Sequence, residues 1–109
     1  MNEERTVLCG ANSYEEKYYF NEEFDAIPQG VKDELKIMCV LFTEDCGGIL
    51  TLEFEKDGTL LFCTRADDYD YLYDEIETGL QVRRLQKEKR ELLESLELYY
   101  RIAVLGENE

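Results

Sequence analysis

The hydrophobic period of this chain changes abruptly at Gly47-Gly48. Before the two glycines, Val31, Leu35, Met38, Phe42 and Cys46 recur at gaps of 4, 3, 4 and 4, which is one face of an α-helix. After them, Leu50, Leu52 and Phe54 alternate with Thr51, Glu53 and Glu55, the pattern of a strand with one buried face. Pro28, the only proline, suits the start of such a helix, because its missing N–H has no intrahelical partner there. The glycines supply the positive φ that ends it. The spacing therefore predicts a helix over 29–46 that stops within two residues of a strand. Its Ile37–Phe42 half is apolar all round and needs cover on more than one side.

Thr59 to Arg65 follows as a second strand, and Glu55-Lys56-Asp57-Gly58-Thr59 between the two is a hairpin signal. A two-residue Asp-Gly turn would pair 54 with 61. A type I turn with Gly58 in a G1 bulge pairs 54 with 60 and 52 with 62. The second register makes the more continuous apolar face, and a one-residue slip would invert it. Phe42, Leu52, Phe54 and Phe62 are then the expected core between helix and hairpin.

Upstream, Thr6 to Cys9 reads as a frayed end or a short strand. Ser13 and Glu16 have capping-box spacing, but Tyr18-Tyr19-Phe20 prefers a strand, so a strand over 16–20 and a helical turn over 22–26 are favoured. Residues 68–77 carry both a helical period and a strand alternation, with helix preferred and a break at Thr78-Gly79. From about 80 to 105 a long helix is expected. Leu85, Leu92 and Tyr99 are seven apart, as are Val82, Lys89, Leu96 and Ala103, giving a coiled-coil-like seam. Its end, Leu98 to Leu105, is apolar on several sides and is expected to be buried. The fold class is α+β in one domain, 1–109. A small antiparallel sheet (hairpin 49–65 plus an N-terminal strand) packs on helix 29–46 and the C-terminal helix, since a lone hairpin is not stable without cover.

Composition removes most chemistry. Histidine is absent, which excludes the Ser-His-Asp triad, the Cys-His pair and every histidine metal site. The formal charge of −14, from 26 acidic and 12 basic residues, opposes nucleic acid and anionic membranes as partners. No apolar stretch is long enough to span a bilayer, and the first residues lack the apolar core of a signal peptide, so a cytoplasmic location is expected. Cys9, Cys39, Cys46 and Cys63 are then free thiols; no CxxC spacing points to zinc. Asp67-Asp68-Tyr69-Asp70 invites a calcium loop, but an EF-hand reading from Asp68 puts Leu72, Tyr73 and Gly79 where ligand, glycine and glutamate belong. Gly47-Gly48 follows a helix and precedes a strand, the reverse of a phosphate-binding turn. No catalytic, cofactor or metal residue is expected, and no cofactor.

Charge segregation is the most informative surface feature. Residues 83–90 hold five bases against one acid, a net +4, while 67–77 hold six acids and no base. A helix over 80–105 is roughly 39 Å long, against about 17–20 Å for a five- or six-residue strand. The excess must project or meet another copy. Arg83, Arg84, Leu85, Lys87, Lys89, Arg90, Leu92, Leu96 and Tyr99 are therefore the expected interaction surface, with the basic block facing the partner's acidic 67–77 stretch.

The strings Tyr18-Tyr19-Phe20-Asn21, Glu34-Leu35-Lys36-Ile37-Met38-Cys39-Val40, Gly47-Gly48-Ile49-Leu50-Thr51-Leu52-Glu53-Phe54, Asp74-Glu75-Ile76 and Leu96-Glu97-Leu98-Tyr99-Tyr100-Arg101 resemble a small family of uncharacterised acidic proteins, a domain of unknown function from anaerobic Gram-positive bacteria. The resemblance covers nearly the whole chain and implies a bacterial cytoplasmic source, with no activity to carry over. A looser likeness is to type III secretion chaperones, which are also small, acidic and dimeric. The functional expectation is a non-enzymatic cytoplasmic interaction protein, a homodimer or the partner of another protein. The alternative is an acidic inhibitor or regulator that mimics nucleic acid on a basic partner, and third comes an enzyme using carboxylates or a thiol.

Overall fold

The computed structural model describes residues 5–107. β1 (Thr6–Asn12), β2 (Lys17–Phe20), β3 (Ile49–Phe54) and β4 (Leu60–Arg65) form one antiparallel sheet in the order β2-β1-β3-β4. α1 is Gln29–Cys46, α2 is Glu75–Glu88 and α3 is Arg90–Ala103; a 3₁₀ turn spans Glu22–Phe24. The expected α+β architecture holds, with the helix at 29–46 and the hairpin in place.

The hairpin takes the G1 register: Phe54 pairs with Leu60 and Leu52 with Phe62. The Gly58 N–H donates to Glu55 O at 2.9 Å, and Gly58 has φ 96°, a conformation that favours glycine. At the other end of β3, Gly48 has φ 74°, and a Cβ there would lie 2.6 Å from the Arg65 carbonyl oxygen. Glycine is thus required for the turn from α1 to close on the edge strand.

β1 is more than a frayed end. It lies between β2 and β3, with a register shift between Val7 and Cys9, and Leu8 and Cys9 are fully buried. Asn12 Oδ1 accepts from the Tyr14 and Glu15 N–H groups, so the 13–16 segment is a tight turn instead of a helix start. Leu50, Leu52 and Phe54 point to the face that the helices cover, with α1 on β1, β2 and β3 and α3 on β4. Phe42 joins them in the core as expected. Phe62 is only half-buried, because β4 is an edge strand. It still packs against the core, which aromatics from distant segments complete: Tyr100 stacks on Phe54 with centroids 4.3 Å apart, and Phe24 meets Phe54 at 5.6 Å.

The C-terminal helix differs from the sequence expectation in four ways. It begins at Glu75, not near 80. Thr78-Gly79 does not break it: Thr78 is buried and its N–H donates to Asp74 O at 2.9 Å. It kinks instead at Lys89 (φ −106°, ψ 23°), where two helices meet. The apolar end is covered on one side only, so Tyr100 is buried while Leu98, Ile102, Val104 and Leu105 are exposed. The kink has a tertiary cause. It swings α3 onto the hairpin, where Glu97 Oε2 accepts from the Leu60 N–H at 2.8 Å and Tyr100 reaches Phe54.

Residues 68–73, preferred as helix, form turns. Asp70 Oδ1 accepts from the Leu72 N–H, and Asp74 Oδ1 accepts from the Ile76 and Glu77 N–H groups, capping α2. Short acidic side chains compete with the helical backbone in this way and favour turns and caps.

Candidate interaction surface

The segment from Asp67 to Leu80 is anchored at one point and open elsewhere. Tyr14, on the β1–β2 turn, donates from its hydroxyl to Asp70 Oδ2 at 2.6 Å and accepts from the Asp67 N–H at 3.0 Å. The bond to Asp70 raises the Tyr14 pKa above the usual phenol value. Tyr73 packs near Gly48. The other large apolar side chains turn to solvent: Tyr69 is 83%, Tyr71 87%, Leu72 95%, Ile76 79% and Leu80 50% exposed. Single exposed apolar residues are ordinary, but five in twelve positions form a patch.

On α2 this patch continues into charge. Ile76, Leu80, Arg83 and Lys87 follow one another at gaps of 4, 3 and 4, and all four are exposed. They therefore form one outward stripe, apolar in its first half and basic in its second. The opposite side of α2 faces α1, with which it frames a groove of about 630 Å³ lined by Ile37, Met38, Leu41, Phe42 and Leu85. Lys89 Nζ closes one end of the groove on Glu34 Oε2 at 3.1 Å.

The residues expected from the sequence as an interaction surface divide into two sets. Arg83, Arg84, Lys87 and Arg90 are exposed, with Arg84 donating to Gln81 Oε1. Leu96 is 3% exposed and belongs to the core, and Leu85, Leu92 and Tyr99 pack against that core half-buried. The seam is therefore covered in part within the chain, with Ala103 at its end exposed, and Lys89 is tied to α1. The outward-facing apolar residues of the 67–80 segment, Tyr69, Tyr71, Leu72, Ile76 and Leu80, were not among those expected. The signal for them was present in the alternation of tyrosine with aspartate, since apolar side chains interleaved with six acids cannot all be buried.

Of the two part-exposed cysteines, Cys46 lies in the groove behind α2, beside Thr78, Glu77 and Arg84, and Cys63 lies away from it. Cys63 is half-buried on β4, with Arg5 Nη1 at 3.6 Å from its sulfur. Burial pushes its thiol up, and the Glu53 carboxylate adds to this. Burial raises the Cys46 thiol too, at the end of α1. Among the described residues, no three Cys, Asp or Glu side chains are grouped to hold a metal ion, and no helix is long and apolar enough to cross a membrane.

A family model described as a family of unknown function, DUF6145, matches residues 5–108. The chain belongs to that family. No curated protein and no solved structure matches this DUF6145 chain.

Proposed function

We propose that this protein is a non-enzymatic cytoplasmic interaction module that pairs with a second copy of itself through the outward stripe of α2 and the loop before it. The observation that carries the reading is the exposed run Tyr69, Tyr71, Leu72, Ile76 and Leu80, continuous with segregated charge. Two α2 helices crossing antiparallel about Leu80 would bring Ile76 of each beside the aliphatic stem of Arg83 of the other. The acids of 67–77 would face Arg83, Lys87 and Arg90 of the second copy, Lys89 being held by Glu34 of its own chain. Such a contact is isologous and closes with two copies, so it does not propagate into fibres. The exposed ion pairs contribute little affinity each and mainly set orientation. The family resemblance, to acidic proteins of anaerobic Gram-positive bacteria, supports a cytoplasmic setting.

Light scattering across a concentration series tests this. The expected particle is twice 12.8 kDa, shifting modestly toward monomer in high salt. Ile76→Asp combined with Leu80→Asp is expected to give a folded monomer that melts where the wild type does when diluted to monomer. A wild-type monomer at high concentration and low salt would overturn the reading. The alternative, an acidic protein that mimics nucleic acid on a basic partner, has the same exposed acids in its favour. It predicts a monomer on its own, with binding lost on neutralising Asp67, Asp68 and Asp70 but retained in the Ile76→Asp, Leu80→Asp variant.

A further inference from the structure

Cys9 and Cys39 are far apart in the chain and meet in the core. Cys9 lies on the inner strand β1 and Cys39 in the middle of α1; both residues are fully buried and their sulfurs are 3.9 Å apart. Free cysteines are common in cores as small apolar fillers, so burial alone says nothing. Two further features set this pair apart. The sulfurs face one another across the interface between helix and sheet, so a bond between them would join the two layers of the fold. The Tyr18 hydroxyl, on edge strand β2, is buried beside them with no hydrogen bond of good geometry, an uncompensated polar group next to the Cys9 thiol.

We propose that Cys9 and Cys39 are a reversible dithiol–disulfide pair, oxidised by a small hydroperoxide, whose disulfide staples α1 to β1. The steps balance without a further reactant. The Cys9 thiolate attacks the peroxide, giving a sulfenic acid and releasing water or the parent alcohol. The Cys39 sulfur then displaces that hydroxyl as a second water, the two thiol protons ending in the departing oxygens. Two cysteine sulfurs are oxidised and one peroxide bond is reduced. The bond needs the sulfurs to close from 3.9 Å to about 2.05 Å, so each moves by roughly 1 Å and β1 and α1 are drawn together.

The surroundings favour Cys9 as the attacking sulfur. The Tyr18 hydroxyl lies against Cys9 and has no other partner among the described residues, so an anion forming at that sulfur has a donor beside it, while burial holds the Cys39 thiol protonated. The Tyr18 phenol, kept protonated chiefly by burial, is available to donate to a Cys9 thiolate. Neither sulfur is open to solvent; the cleft of about 770 Å³ behind Tyr18 and Val40 stops short of them, so a reagent reaches the pair only when Tyr18 moves aside. Tyr18 belongs to a four-residue edge strand, the element whose local opening disturbs the fewest pairings. A hydroperoxide fits that route better than a bulky disulfide, because no mixed disulfide has to be housed in the core. Cys46 and Cys63 have no second cysteine beside them among the described residues, so they serve as internal controls.

The test uses the intact wild-type protein, reduced and then treated with hydrogen peroxide. Alkylation in denaturant and mass spectrometry should find a species about 2 Da lighter before alkylation, two alkylated cysteines at 46 and 63, and a peptide linking 9 to 39, all reversed by a dithiol reductant. Cys39→Ser should abolish the link and leave a sulfenic acid on Cys9 that a dimedone probe traps. Cys46→Ser with Cys63→Ser should retain the link. Four alkylatable thiols after treatment, or oxidation only at Cys46 and Cys63, would overturn the proposal. So would over-oxidation of Cys9 with no link to Cys39. Because the decisive readout is made on the wild-type chain, a variant that fails to fold does not rescue the idea.

Discussion

α2 and α3 each span 14 residues and adjoin at Lys89, yet they relate to the rest of the molecule in opposite ways. α3 buries Leu93, Leu96 and Tyr100; the buried residue of α2 is Thr78, and Ile76 and Leu80 face solvent. Apolar content alone does not account for this. α3 has the hairpin to lie on, with Phe54 offering a ring for Tyr100 and the Leu60 N–H a donor for Glu97. α2 has only one flank of α1, which half-covers Val82 and Leu85 and leaves the far side open. A helix buries as much of its apolar surface as neighbouring elements can cover, and the remainder stays available for a partner.

The contrast can be broken most forcefully at the α3 end. Phe54→Ala removes the ring that Phe24 and Tyr100 share and should cost about 3–5 kcal/mol in a denaturant titration. Ile76→Ala on α2 should stay within about 0.5 kcal/mol in the same assay. Equal losses would mean that the α2 stripe is covered within the monomer. A charge on each side sharpens the point: Leu92→Asp should destabilise the fold by about 2 kcal/mol, since the carboxylate enters a half-buried contact with the core. Leu80→Asp should leave the stability of the monomer alone and act on association. The start of α2 depends on its cap, so Asp74→Ala should cost about 1 kcal/mol, visible as lost helicity and a lower melting temperature.

The smallest effects concern pH and distinguish the exposed loop from the hairpin. The folded pKa of Tyr14 is raised by its bond to Asp70, so its contribution is complete below the unfolded value of about 10 and is lost as pH rises through the folded value. Alkaline titration should speed amide exchange over 67–73 before it disturbs the sheet, and Tyr14→Phe should do the same at neutral pH. Asp57 works in the opposite direction. The Thr59 N–H bond holds its carboxyl below the usual range, so its contribution is present above about pH 3.9 and fades as pH falls through the folded value. Asp57→Asn should therefore soften the hairpin's acid response without altering the alkaline one.

Local rules carried a large share of this fold. The helix at 29–46, its glycine stop, the strand alternation after it and the G1 register of the hairpin follow from period, φ preference and face continuity, all of which act within a few residues. The exposed basic side chains Arg83, Arg84, Lys87 and Arg90 were equally legible, because charged groups stay in water unless something unusual holds them. What neighbouring residues could not decide was which apolar stripe would be covered. Leu85, Leu92, Leu96 and Tyr99 have the spacing of a docking seam, yet all pack against the chain's own core: Leu85 on the flank of α1, and the α3 residues because the kink at Lys89 lays α3 on the hairpin. Leu72, Ile76 and Leu80 look like the start of a buried helix and remain outside. The inner position of β1 and the meeting of Cys9 with Cys39 also depend on strand order, which long-range pairing sets. Periodicity specifies that a face is apolar; only the arrangement of the other elements specifies what, if anything, lies against it.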